Sequence, residues 1–452
     1  MTDTIFALAS APGRAGVAVM RLSGPDAADA LAALTPHQVE PPARLASLRR
    51  LMIPGTDTAI DEALVIRFEA PASFTGEHVV ELHLHGGRAI IDTLASTLAT
   101  LPGLRLAMPG EFTRRAFENG RLDLTEAEAV ADLINAETEA QRLQALDQLG
   151  GALKSLYQGW ADRLTRSMAH LEADIDFPDE DLPDGIVVRI KPGLDKLIAE
   201  IDAHLADNRR GERLRDGVSI AILGAPNAGK SSLLNAIAAR DAAIVSDIAG
   251  TTRDAIEVHL DLGGYPVTLI DTAGLRETED TIESEGIRRA LARADQADLK
   301  LIVVDAAELS QTSPRLPPML DAMVDAQTLI ALNKTDLALN PATGLPIEFG
   351  GRPAIAVSAK TGDGLDNLLH ALQASTADSL GKASAGPTLT RARHREALQE
   401  CRDSLQRAKT APAPELAAED TRLALRALGR ITGRVDVEDL LDVIFRDFCI
   451  GK

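Results

Sequence analysis

Residues 224–231 read Gly-Ala-Pro-Asn-Ala-Gly-Lys-Ser, a complete G-x-x-x-x-G-K-S/T phosphate loop, and they follow directly on the apolar run Ser219–Leu223. A strand must feed such a loop and a helix, here Leu233–Ala239, must leave it. Glycines at these places let main-chain N–H groups wrap phosphates, and the following helix turns its positive end toward the anion. Asn227, Ala228, Gly229, Lys230, Ser231 and Ser232 are therefore expected around a nucleoside triphosphate. Lys230 would meet the β- and γ-phosphates and Ser231 would place its hydroxyl on Mg²⁺.

Further along, Asn333-Lys334-Thr335-Asp336 closes the apolar run Thr328–Leu332. An N-K-x-D turn offers its aspartate to the N1 and N2 donors of guanine, a pair that adenine lacks, so the base is read as guanine. Ser358-Ala359-Lys360, after the run Ala354–Val357, supplies the expected backstop for the guanine oxygen. Alone it would be an ordinary turn. Asp271-Thr272-Ala273-Gly274 ends the strand Thr268–Ile270 as the Mg²⁺-side aspartate and the γ-phosphate-sensing glycine. The four motifs, in this order, predict a Ras-like P-loop GTPase domain.

Position 275 is unusual for that class. Ras-like GTPases place Gln after Asp-x-x-Gly to orient the attacking water, whereas this chain has Leu275. Glu283 is the candidate that would act instead, through a second water, and its plainer reading is a solvated acidic loop. No arginine stands out as a finger for the β–γ bridge, a role worth roughly 10³–10⁵ in rate. Asn227 offers a side-chain carbonyl where K⁺ could take that place. The segment Ser246, Asp247, Ile248, Ala249, Gly250, Thr251, Thr252 could fold over the ion, with Ser246, Ile248 and Thr251 as candidate ligands. Thr252 would complete the Mg²⁺ shell begun by Ser231. Asn227, Lys230 and Glu283 are thus the candidate catalytic residues.

The 452 residues are 45% hydrophobic and 25% charged, enough for more than one core. Cys401 and Cys449 are the two cysteines, so no disulfide framework is implied. No basic leader precedes an apolar segment at Met1-Thr2-Asp3-Thr4 and no long uncharged apolar stretch occurs, so a cytoplasmic protein without membrane association is expected. Periodicity divides the chain into an α+β domain over 1–119, a helical domain over 120–215 and 382–452, and the GTPase domain over 216–381 inserted into it. The fold class is therefore multidomain α/β. Within it, Thr125 with Glu128 reads as a capping box, Ser375–Gly386 as a linker, and the acidic Asp174–Asp181 stretch as a solvated helix end broken by Pro178. His83 and His85 alternate on one strand with no third ligand at suitable spacing.

The segments Gly250-Thr251-Thr252-Arg253-Asp254 and Asp271–Arg276, and the ending Phe448-Cys449-Ile450-Gly451-Lys452, resemble the MnmE (TrmE) family of tRNA-modification GTPases. The resemblance extends to Pro12–Gly24, Ser73–Glu77, Glu81–Gly87 and Pro109–Phe117, and so covers essentially the whole chain. It implies a K⁺-dependent homodimeric GTPase, the homodimer being formed by a folate-binding-like N-terminal domain. The family works with the flavoprotein MnmG, which carries FAD, as a heterotetramer. Together they add a carboxymethylaminomethyl or aminomethyl group to C5 of wobble uridine 34 in certain tRNAs, drawing on 5,10-methylene- or 5-formyltetrahydrofolate. Arg21, Glu81 and Arg121 correspond to folate-contacting positions, with Lys452 reaching the same pocket and Cys449 nearby. The net charge of −20 sits awkwardly with a tRNA partner. A local basic run, Arg391-Ala392-Arg393-His394-Arg395, reads either as a phosphate-binding surface or as a solvated helix face. A ribosome-assembly GTPase acting as an RNA-binding switch is the alternative, and it leaves the first 119 residues unexplained.

Overall fold

The structure, a computed structural model, describes residues 3–176, 186–240, 256–271, 296–308, 315–337, 348–381, 386–435, 438–446 and 448–451. The chain divides into two compact units. One comprises Met1–Ala131, Gln148–Val187 and Thr410–Lys452, the other Asp132–Asp147 and Val188–Lys409.

The first unit is built on strands β1 (Thr4–Leu8), β2 (Ala15–Ser23), β3 (Ser47–Met52), β4 (Ala59–Phe68), β5 (Val79–Gly86) and β6 (Leu104–Leu106), with helices α1 (Ala27–Leu34), α2 (Arg88–Ala99) and α3 (Glu111–Glu118). The sheet order is β3-β4-β5-β2-β1-β6, with antiparallel pairing throughout except for the parallel pair β1–β6. Because strand side chains alternate faces, Val80, Leu82 and Leu84 of β5 and Met20 and Leu22 of β2 join Leu31, Leu34, Leu94 and Leu98 of α1 and α2 in one core. Glu81 and His83 on β5, and Arg21 on β2, occupy the opposite face. The sequence carries little periodic signal for strands β3 and β6. In β3 burial alternates, with Leu51 inside and Leu48 and Arg50 outside, but arginines at 49 and 50 break the apolar alternation in the sequence.

Helices α4 (Leu124–Ile134), α5 (Glu139–Leu149) and α6 (Ala152–Asp176) follow. The cap of α4 lies two residues earlier than the expected Thr125–Glu128 box. Asp123 Oδ1 accepts from the Glu126 N–H at 2.9 Å, and Glu126 Oε2 accepts from the Asp123 N–H at 2.7 Å. Aspartate caps as well as threonine does, and Thr125 spends its hydroxyl on Asp123 Oδ1. Leu124 and Ala127 of α4 are buried with Leu441, Phe445 and Phe448 near the chain's end, where Ile450 also pairs with Pro109. In the same unit α6 packs on the helix Pro414–Thr432, whose buried face includes Ala417, Ala418, Ala424 and Ala427.

The second unit holds α7 (Ile186–Leu205), α8 (Arg210–Asp216) and a sheet of β7 (Val218–Leu223), β8 (Ile256–Leu262), β9 (Tyr265–Asp271), β10 (Leu299–Asp305), β11 (Thr328–Asn333), β12 (Glu348–Phe349) and β13 (Arg352–Ala356). Its order is β12-β13-β11-β10-β7-β9-β8, parallel except for the antiparallel edge strands β8 and β12. Central β7 is buried on both faces. Val218, Ile220 and Ile222 face one core, and Ala221 and Leu223 the other, as parallel sheets require. The helix Leu365–Leu380 runs through the first half of the expected Ser375–Gly386 linker, with Thr376 and Leu380 buried. The small residues there continue the helix instead of loosening the chain.

Candidate functional site

β7 delivers the chain into the phosphate loop at its carboxyl end, and helix α9 (Lys230–Ala238) leaves it. Asn227 (φ +63°) and Gly229 (φ +92°) are left-handed, and Gly229 caps α9. A Cβ on Gly229 would lie 2.2 Å from Asn333 Nδ2, so no other residue fits that crossing. Lys230 is buried and folds its ammonium back over the loop, donating to the Gly224 carbonyl at 2.8 Å and the Ala225 carbonyl at 3.0 Å. Burial pushes its pKa below the ordinary lysine value, against the pull of Asp271. Asp271, fully buried at the end of β9, accepts from the Ser231 hydroxyl at 2.8 Å. Ala228 is buried beneath the loop, while Asn227 and Ser232 are exposed.

Asn333 ties three loops together. Its Nδ2 donates to the Ala228 carbonyl at 3.0 Å and its Oδ1 accepts from the Ala359 N–H at 3.0 Å. Thr335 donates to the Val357 carbonyl at 2.9 Å, and the buried Ser358 hydroxyl donates to Asp336 Oδ1 at 2.7 Å. Asp336 and Lys360 are exposed at the rim. Lys334 takes a left-handed backbone (φ +63°), and its ammonium pairs with Asp305 Oδ2 at 2.6 Å. Asp305 was not foreseen, although it ends the apolar run Leu299–Asp305 just as Asp271 ends its own. Ser246, Asp247, Ile248, Ala249, Gly250, Thr251, Thr252, Thr272, Ala273, Gly274, Glu283 and Lys452 lie outside the described residues.

In the first unit, the Arg21 guanidinium donates from Nε to Glu81 Oε1 at 3.0 Å across the β2–β5 register. It lies over the rings of Phe74 and Phe112, 5.6 and 5.8 Å from their centroids. Glu81 Oε1 is thus committed to Arg21, while Oε2 lies 3.5 Å from His83 Nε2, which makes no hydrogen bond to it. Arg121 stands beside the Ser73–Glu77 loop, 3.2 Å by its Cγ from where a Gly76 Cβ would be. Beneath that loop runs a buried chain of polar groups. Ser23 meets Thr75 Oγ1 and Glu77 Oε2, both at 2.7 Å, and the buried Arg115 reaches Glu77 at 3.2 Å, Glu111 at 3.1 Å and Asp3 at 3.1 Å.

The run Arg391–Arg395 is neither a phosphate-binding surface nor a solvated face. Arg391 pairs with Asp132 at 2.7 Å, Arg395 with Asp207 and Glu212 at 2.7 Å each, and His394 is fully buried. Arg391 and Arg395 are therefore both ion-paired within the second unit.

Phosphate loop, strand-end carboxylate and base loop converge at the carboxyl ends of β7, β9 and β11, the arrangement that defines a P-loop GTPase. Comparison with known proteins places the chain more narrowly. A family model for the MnmE helical domain matches residues 124–449, and one for the N-terminus of the GTP-binding protein TrmE matches residues 4–121. The chain belongs to the MnmE family of tRNA modification GTPases. It is 58% identical to the tRNA modification GTPase MnmE of Parvibaculum lavamentivorans and 55% identical to that of Paramagnetospirillum magneticum, over 100% of each chain. It is 48% identical to a mitochondrial 5-taurinomethyluridine-tRNA synthase subunit, GTPB3, of Danio rerio, over 100% of this chain and 93% of that protein. The match to residues 4–121 removes the ribosome-assembly alternative, which has no place for this domain. Among the described residues no helix is long and apolar enough to cross a membrane.

Proposed function

We propose that this chain is a K⁺-dependent GTPase of the cytoplasm. As a homodimer working with an FAD-carrying MnmG flavoprotein in a heterotetramer, it would install an aminomethyl or carboxymethylaminomethyl group on C5 of uridine 34 in certain tRNAs. In this reading residues 1–119 bind a tetrahydrofolate one-carbon donor (the 5,10-methylene or 5-formyl form) and dimerise. Residues 120–215 and 382–452 form the helical domain, and 216–381 hydrolyse GTP. The observation that carries the reading is the Lys230–Ser231–Asp271 cluster on a left-handed phosphate loop in a chain that matches its relatives from end to end.

A hydroxyl and a carboxylate 2.8 Å apart are an oxygen donor set suited to Mg²⁺. Ser231 and Thr252 would hold that ion, which supplies charge neutralisation on the phosphates. Lys230 would exchange its carbonyl partners for phosphate oxygens. The side-chain amide of Asn227 is exposed at the loop's rim and makes no hydrogen bond among the described residues, which suits it to K⁺, with Ser246, Ile248 and Thr251 completing the shell. Asn333, Lys334, Thr335, Asp336, Ser358, Ala359 and Lys360 would take the guanine, and Asp271, Thr272, Ala273 and Gly274 the γ-phosphate side. Glu283 would orient the nucleophile through a second water, since Leu275 has no polar atom. In the first unit the Glu81 oxygen not committed to Arg21 can accept from a pterin's donor edge. Arg21, Arg121 and Lys452 would balance the anionic tail of the folate.

GTP turnover of the full chain should be at least about tenfold faster in KCl than in NaCl at equal ionic strength. Equal rates would remove the role given to Asn227. Mass spectrometry of wobble nucleosides from cells lacking this chain should show loss of the C5 substituent.

A further inference from the structure

We propose that Asp305 is a positioning residue for the guanine site, acting on the base only through Lys334. The inference rests on the reading of Asn333–Asp336 as the base loop. Asp305 is 8% exposed and stands at the end of β10, beside Asn333 in the parallel β10–β11 register. Both of its oxygens are used. Oδ1 accepts from the Ala307 N–H at 2.9 Å, fixing the turn that leaves the strand, and Oδ2 holds the Lys334 ammonium at 2.6 Å.

Lys334 needs such an anchor. It is a non-glycine residue at φ +63°, a conformation that costs free energy unless its surroundings hold it there. The next turn is anchored too, since the Ala306 N–H donates to the Asn333 carbonyl at 2.8 Å. Stretched between Asn333 and Asp305, the aliphatic stem of Lys334 passes the phosphate loop, with Cε 3.8 Å from where a Gly229 Cβ would be. That stem is therefore laid out as a flat apolar wall between the phosphate loop and the base loop. Asp336 selects the base by hydrogen bonds, whereas Asp305 shapes the wall on which the ring rests and carries no base identity of its own.

The inference is tested by a double-mutant cycle on the full chain, read with fluorescent GDP, IDP and ADP. Asp305→Ala should weaken GDP about tenfold, mostly through faster dissociation, as expected for losing a charge-assisted hydrogen bond. It should weaken IDP by the same factor, because IDP lacks only the amino group that Asp336 would accept. Combined with Lys334→Ala, it should weaken binding no more than Lys334→Ala alone, within about twofold. Independent losses that multiply in the double variant would overturn the proposal. So would a loss confined to GDP. Asp305→Asn keeps an oxygen for the Ala307 N–H and turns an NH₂ toward Lys334. It should melt close to wild type yet bind GDP as weakly as Asp305→Ala, and wild-type affinity in this variant would also overturn the proposal. Wild-type protein that binds ADP as tightly as GDP would instead remove the base-loop reading on which the inference stands.

Discussion

The nucleotide loops of the second unit and the Arg21–Glu81 region of the first both gather polar groups, but they are made of different material. The phosphate loop is main chain, turned by left-handed residues at 227 and 229 and braced by one asparagine, Asn333. The N-terminal region is side chain, with Arg21 and Glu81 paired across strands above a buried chain that runs through Ser23, Thr75, Glu77 and Arg115. A main-chain site fails when a Cβ is added. A side-chain site fails when a charge is removed.

The largest effect should come from the first kind of damage. Gly229→Ala sets a methyl group 2.2 Å from Asn333 Nδ2 at φ +92°, so the crossing of the phosphate and base loops must open. Displacement of that order should lower guanine-nucleotide affinity about 100-fold or more, measured by equilibrium titration. The first unit should unfold as wild type does. Retained affinity would show that the two loops are not rigidly braced against each other.

The second kind of damage should appear as instability. Arg115 is 7% exposed and faces three carboxylates, Asp3, Glu77 and Glu111. Arg115→Ala removes the guanidinium that faces Glu77 and leaves Asp3 and Glu111 to Arg105, and breaking a buried pair from one side costs about 3–5 kcal/mol, to be read from urea unfolding with hydrogen exchange in β1 and α3. Nucleotide affinity of the second unit should not change. The same network gives a pH signature. Burial alone would raise the Glu111 carboxyl, but hydrogen bonds from Arg105, the Met108 N–H and Arg115 outweigh it and hold its pKa below the ordinary carboxylate value. A carboxylate lowered in the folded state adds stability above its unfolded pKa and loses it as pH falls through the folded one. Glu111→Gln should therefore be destabilising at neutral pH, with the difference from wild type closing as pH drops below the ordinary carboxylate range.

This contrast also decides what is legible in the sequence alone. Contiguous loops are legible because main-chain geometry forces glycine, lysine and hydroxyl residues into fixed spacing, and Lys230, Ser231, Asp271 and Asn333 could be placed from sequence. Asp305 escaped because its partner is 29 residues away in sequence and only the parallel β10–β11 register brings them together. The Arg115 network escaped for the same reason, since Asp3 and Arg115 are separated by 112 residues. Nothing local marks Arg391 and Arg395 as neutralised either. Their acidic partners, Asp132, Asp207 and Glu212, lie on other elements of the second unit. Local signals misled twice, at the α4 cap and at Ser375–Leu380, where small polar residues suited both a linker and a packed helix.

The smallest effect should come from a pair that looks the same on paper. Arg88 and Asp92 on α2 share the i,i+4 spacing of Glu111 and Arg115 on α3, with Nε 3.4 Å from Oδ2. Their side chains are 93% and 66% exposed, against 8% for each partner in the buried pair. Water screens the exposed charges, and ordering two long side chains offsets most of the attraction. Arg88→Ala should change the stability of the first unit by no more than about 0.5 kcal/mol, in the same urea unfolding experiment. A loss approaching that of Arg115→Ala would mean that spacing along the helix governs these pairs, and that the side-chain network of the first unit owes its rigidity to something other than burial.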